Sequence, residues 1–202
     1  MESFTIQRNE YLTTQIDAWY HSEYHGGYAN VPERIENMIC TLKNDIYIKR
    51  EDDSDLIDAQ NRLRDILNTD LSAIKNIIDS DLTICVVPRA KVRYLPHQLL
   101  FKDTIKQVVN QLNLKDGTDY ILRKTDTKTT HRARAGYGGS GPAPYIGITK
   151  NTCLISDDVQ GKTILLIDDV YTPSVNIDED AIQALLDKGA TKVYFYAVGH
   201  TF

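Results

Sequence analysis

Thr163-Ile164-Leu165-Leu166-Ile167-Asp168-Asp169-Val170-Tyr171-Thr172-Pro173-Ser174-Val175-Asn176-Ile177 sets four aliphatic residues in front of two adjacent carboxylates, then small and hydroxyl residues, then a helical pattern. Aliphatics without polar alternation read as a strand buried on both faces, as in a parallel sheet covered by helices. Asp168 and Asp169 then fall at the strand's carboxyl end, the edge along which open α/β sheets bind ligands. The loop behind them enters a helix, and backbone N–H groups at such an entry suit a phosphate. The fold class that follows is α/β, with a mainly parallel twisted sheet flanked by helices.

Other readings of the stretch fit less well. Gly161-Lys162-Thr163 has Ser156 where a P-loop needs its first glycine, and it leads into a strand rather than a helix. A phosphorelay receiver carries paired acids after its first strand, but only 33 residues follow Asp169. A purely structural Asp-Asp turn stays open.

The stretch resembles the phosphoribosyl diphosphate (PRPP) motif of type I phosphoribosyltransferases, in which a hydrophobic strand, two acids and a Thr-Thr-Gly-x-Thr loop hold ribose 5-phosphate. Residue by residue, the resemblance puts Asp168 and Asp169 on the ribose hydroxyls, and Val170, Tyr171, Thr172, Pro173, Ser174, Val175 and Asn176 along the phosphate loop. Thr172-Pro173-Ser174-Val175-Asn176 lacks the family's glycine, and Pro173 offers no amide. Residues 82–202 carry the likeness. Leu122-Arg123-Lys124-Thr125, His131-Arg132 and Gly161-Lys162-Thr163 make it most similar to the ComF-like branch, although the cysteine-rich finger usual there is missing.

The resemblance also implies a diphosphate loop at Arg89-Ala90-Lys91, after a first strand Thr83–Val87. Arginine suits bidentate oxygen contacts and lysine a point charge. A solvated turn is the alternative there. Thr125 to Pro144 is Gly-rich, basic and hydroxyl-bearing, a composition that fits a mobile lid. In the family's terms it brings His131, Arg132 and Arg134 to the reacting centre; a linker is the other reading. Magnesium is expected as the substrate-bound ion, on the donor's own oxygens, with Asp168 and Asp169 the only optional protein contacts.

Residues 1–80 read as a helical cap and 81–202 as the α/β domain. Glu10 to Tyr24 has aromatic residues at helical spacing, ending at Gly26-Gly27; a second helix starts at Pro32, a third is capped by Ser54 or Asp53, and a fourth starts at Asp70. Ile46-Tyr47-Ile48 reads as a short strand or linker. Further along, a helix spans about 102–112 and Tyr120–Arg123 forms a strand. Residues 145–155 form a hairpin, and a last helix and strand follow from Asp178 and Lys192. Asp178-Glu179-Asp180 in the helix's first turn complements the macrodipole but repels a phosphate bound at that terminus.

The net charge of −5 hides an asymmetry. Residues 1–80 hold eight Lys and Arg against fifteen Asp and Glu, residues 81–150 twelve against five, and residues 151–202 three against eight. A basic middle in an acidic chain points to a focused anionic ligand and away from a broad nucleic-acid face; the resemblance implies that this ligand is a phosphorylated sugar or nucleotide. Cys40, Cys85 and Cys153 are too scattered for a zinc site or a disulfide framework. Neither an apolar run of membrane length nor a signal peptide is visible, so a cytoplasmic location without membrane association is expected. A homodimer or partner protein stays open. The expected activity is phosphoribosyl transfer from PRPP to a nitrogenous acceptor with release of diphosphate. The alternative is a non-catalytic nucleotide sensor or interaction module on the same fold.

Overall fold

The computed structural model describes residues 1–44, 53–78, 81–129 and 141–202. A six-stranded mixed sheet has the order β1 (Glu2–Ile6), β2 (Ile16–Glu23), β8 (Lys192–His200), β7 (Thr163–Tyr171), β3 (Leu82–Val86), β4 (Lys115–Asp116). β7, Thr163–Tyr171, lies between β3, Leu82–Val86, and β8, Lys192–His200, and both pairings are parallel. Its side chains alternate between two cores: Ile164 and Leu166 enter one, Leu165 and Ile167 the other. The aliphatic run is therefore buried on both faces, as the lack of polar alternation requires.

Helices cover both faces. One face carries α1 (Ile35–Lys43), α2 (Ser54–Ile78) and α3 (Leu100–Gln111), which pack Leu42, Leu63, Leu71, Ile105 and Val109 against the sheet. The other carries the C-terminal helix Ile177–Asp187, with Ala181, Ile182 and Leu185, and a two-stranded antiparallel sheet of β5 (Ile121–Arg123) and β6 (Cys153–Ile155). A short helix, α4 (Ile148–Thr152), runs into β6, so the C-terminal helix is α5. No helix among the described residues is long and apolar enough to cross a membrane.

Several expectations are corrected. The first third of residues 1–80 is not helical: β1 (Glu2–Ile6) pairs antiparallel with β2 (Ile16–Glu23), and β2 lies parallel to β8. Ala18, Trp19 and Tyr20 are all buried, a consecutive run that one helix face does not produce. Asp70 does not start a helix but sits inside the continuous α2. The second helix begins at Ile35, where Pro32 was expected to open it. Residues 145–155 form α4 and β6 rather than a hairpin, because β6 pairs with β5 and not with its own neighbour in sequence. The parallel neighbour reached through α3 is β4, Lys115–Asp116, and not Tyr120–Arg123. Ile46–Ile48 lies outside the described residues.

Candidate functional site

The carboxyl ends of β3 and β7 lie side by side, with Val86 opposite Ile167 and the Val87 amide donating to the Ile167 carbonyl at 2.9 Å. β7 continues through the acids, so Asp168 and Asp169 project from its last turns of pleat rather than from the following loop. Successive strand residues face opposite ways; the Asp169 amide nonetheless donates back to Asp168 Oδ1 at 2.8 Å, which fixes the first carboxyl group.

Both acids line a cleft that also takes in Pro88, Arg89 and Ala90 after β3, Lys43 from α1, and Lys128 and Thr129. Lys91 lines the adjoining chamber of the same cleft. The acid pair and the cationic loop, 77 or more residues apart in sequence, are thus brought together by the pairing of two parallel strands.

The loop is built by backbone contacts. Arg123 on β5 donates to the carbonyls of Arg89 (3.0 Å) and Pro88 (3.1 Å). Arg89 donates to the Gln98 carbonyl and stacks its guanidinium 4.1 Å from the Tyr94 ring. Lys91 Nζ reaches the Thr127 carbonyl at 2.8 Å, and Thr127 N–H returns a bond to the Ala90 carbonyl. Gly141 passes so close to residues 126–127 that a Cβ there would meet Thr127 Cα at 2.8 Å, and its φ of +109° suits only glycine. Lys128 N–H donates to the Pro142 carbonyl at 3.0 Å. His131, Arg132 and Arg134 lie outside the described residues.

Lys43, the last residue of α1, places Nζ 2.7 Å from Asp169 Oδ2, and both side chains are largely shielded. Sequence reading missed this residue: a single lysine ending an amphipathic helix carries no local signal of a partner 126 residues away.

Behind the acids, the first turn of α5 is buried. Asp178 is 5% exposed and hydrogen-bonds Asp168. Burial pushes the Asp168 carboxyl up to about 6, against the opposing pull of the Asp178 hydrogen bond and Lys43. Burial, and then the charge of Asp168, push Asp178 well above the ordinary carboxylate range. Burial and each other's charge thus disfavour ionisation of both carboxyls at once. Glu179 accepts from Tyr171 Oη at 2.8 Å, and Asp180 accepts from the amides of Gly147 and Thr149 at the start of α4. The three acids are thus internal acceptors and partners, not a solvated dipole cap.

The remaining sequence-derived residues are placed differently. Val170 packs against the core beneath α1–α3, and Tyr171 is buried among Phe4, Phe195 and His200. Thr172 to Asn176 form a turn in which Val175 N–H donates to the Thr172 carbonyl at 3.0 Å; Pro173 and Ser174 are exposed. Asn176 takes a left-handed φ of 58° and accepts from Asn9 Nδ2 at 3.0 Å. The cleft lining reaches this end of the chain at Ile177.

Among the described residues no group of three His, Cys, Asp or Glu side chains is arranged to hold a metal ion. The two carboxylates, one of them engaged by Lys43, fit a magnesium ion held mainly by phosphate and water better than a protein cage. Together these features define an α/β protein with a cleft at the carboxyl edge of its parallel strands. No family model matches the chain, and no curated protein matches it in sequence.

Proposed function

We propose that the protein is a phosphoribosyltransferase-like α/β protein that binds PRPP and transfers its phosphoribosyl group to a nitrogenous acceptor. The observation that carries this reading is the convergence of Asp168 and Asp169 with the Arg89-Ala90-Lys91 loop on one cleft. Carboxylates suit ribose hydroxyls as acceptors, and a cationic loop one strand away suits a diphosphate.

In this reading Asp168 and Asp169 accept hydrogen bonds from the ribose hydroxyls, and Arg89 and Lys91 hold the diphosphate. Thr172, Ser174 and Asn176 would hold the 5-phosphate. The acceptor nitrogen forms its bond to the anomeric carbon as the carbon–oxygen bond to diphosphate breaks, and diphosphate leaves with the electron pair. Magnesium carried on the donor's own oxygens would supply charge neutralisation at the leaving group, with Asp168 and Asp169 the residues that could touch it. The protein contributes positioning and electrostatics. Lys43 sets the orientation of Asp169 and tempers the repulsion between the acids.

Calorimetric titration with magnesium PRPP tests the reading. Saturable binding is expected in the native protein, weakened at least about 100-fold, roughly 2.7 kcal/mol, in Asp168→Asn/Asp169→Asn. Absence of heat at millimolar ligand, with an unchanged melting temperature, would sink it. Pro173 and the Lys43–Asp169 ion pair favour a second reading, a nucleotide-binding module without turnover. Binding without diphosphate release across a panel of nitrogenous bases would select that one.

A further inference from the structure

The two edges of the six-stranded sheet are finished differently. β4 is two residues long and both are charged, the short and charged form that keeps an edge from pairing with another chain. β1 is five residues long, and from Ser3 to Ile6 it has no charge, proline or glycine. Among the described residues β1 has one neighbour, β2, so its outer row of backbone N–H and C=O groups faces away from the sheet. An open strand of this kind is a template for one more strand.

β1 is held firmly on one side and uncovered on the other. Phe4 packs against the rings of Tyr20, Tyr171 and His200, and Ile6 is buried in the core beside α5. Ser3 and Thr5, which alternate with them, are exposed and face the α1–α3 side of the sheet. There a groove of about 410 Å³ joins β1 to the last turn of α2, walled by Ser3, Thr5, Trp19, Tyr194, Ile77 and Ile78. Ile77 is 60% exposed. Apolar area left in water beside an unpaired strand marks a surface for a partner.

We propose that the occupant of this edge is a second copy of the chain, whose β1 pairs antiparallel with this one and joins the two six-stranded sheets into one. A two-fold axis through the shared edge makes identical strands run antiparallel and keeps each face of the sheet continuous. Charge selects the register. With Thr5 opposite Thr5 of the partner subunit, Phe4 meets the partner's Ile6 and Glu2 meets the partner's Arg8, an opposite-charge pair made twice. Moving the axis to Phe4 sets Glu2 against the partner's Ile6, and moving it to Ile6 sets Glu2 against the partner's Glu10. In the Thr5 register the two grooves lie on the same face, where the exposed Ile77 side chains gain apolar cover. The interface shares no residue with the cleft at Asp168 and Asp169, so it stands or falls independently of the transferase reading.

Sedimentation equilibrium of the full chain tests this, with the melting temperature as the check on folding. At roughly 100 µM, where a micromolar contact is mostly dimer, the native protein should be dimeric. Thr5→Lys sets two ammonium groups against each other on the axis, and Thr5→Glu two carboxylates; each should weaken the dimer by at least about tenfold. Position 5 is exposed, so both variants should fold. An equimolar mixture of the two should recover native-like association as a mixed dimer, because only a residue on the axis meets its own counterpart. A monomeric native protein at that concentration overturns the proposal. So does a dimer that both Thr5 variants leave intact, and so does a mixture that stays monomeric.

Discussion

Asp178→Asn should make the protein more stable than the native chain at pH 8, with an advantage that shrinks steadily as the pH is lowered and is gone near pH 4. Asp178 is buried in the first turn of α5 against Asp168, and its carboxyl is held well above its ordinary range by burial and by the Asp168 charge. The folded protein thus keeps a proton that the unfolded chain, with an ordinary aspartate near 3.9, gives up. When the folded state binds more protons, stability falls as pH rises. The stabilisation is fully present below about pH 4 and is lost as pH climbs toward the folded value. Asp168, pushed up to about 6, and Glu179, raised by burial, act in the same direction; Lys43 opposes. An amide at 178 can still donate to Asp168 but titrates no proton, so it removes the Asp178 share of the slope while Asp168 and Glu179 keep theirs. The difference in unfolding free energy should grow by up to about 1.4 kcal/mol per pH unit above pH 4. Urea unfolding at pH 5, 6, 7 and 8 measures it. A constant offset across that range would mean that burial and the Asp168 charge do not hold Asp178 in its protonated form.

This pair also marks where the sequence stopped being legible. Three acids opening a helix look like a dipole cap when only neighbours are visible. In the fold each meets a distant partner: Asp168 on β7, the Tyr171 hydroxyl, and the amides at the start of α4. The same limit hid Lys43, whose contact with Asp169 joins the end of α1 to the end of β7. By contrast, the central strand could be read directly, because a run buried on both faces suppresses polar alternation. The strand before Pro88 and the helix after Leu99 followed from equally local signals, and the cationic loop fell on the correct edge because it ends a strand parallel to β7.

The failures share a cause. Tyr11, Ile16, Trp19, Tyr20 and Tyr24 have helical spacing, yet Ile16–Glu23 pairs with both β1 and β8, and tertiary pairing overrides the local pattern. Residues 145–155 look like two strands around a turn, but the partner of β6 is β5, about thirty residues earlier. Asp70 suggested a helix start because a short acid favours caps; it is instead a mid-helix acid satisfied from the sheet.

That placement makes Asp70→Ala the most damaging single substitution expected outside the apolar core, with a loss of about 3–5 kcal/mol in unfolding free energy. Asp70 is 3% exposed and accepts from Tyr196 Oη at 2.8 Å, while His21 Nδ1 lies 2.9 Å from the same oxygen. Tyr196 is fully buried, and burial with the adjacent Asp70 charge drives its hydroxyl well above the ordinary range. Truncation at 70 leaves that hydroxyl with no acceptor, opens a cavity beneath α2, and strips His21 of its partner. Against a typical total of 5–15 kcal/mol, the loss is a large fraction of the stability. Tyr196→Phe should cost less, about 1–2 kcal/mol, because Asp70 keeps His21. In the double variant the Tyr196 hydroxyl is no longer there to be orphaned, so the two losses should fall short of additivity by about 1–3 kcal/mol. Denaturant unfolding of the four proteins gives the coupling directly. Strict additivity would show that α2 is held to the sheet by its apolar stripe alone and that the buried acid contributes nothing specific to the Tyr196 contact.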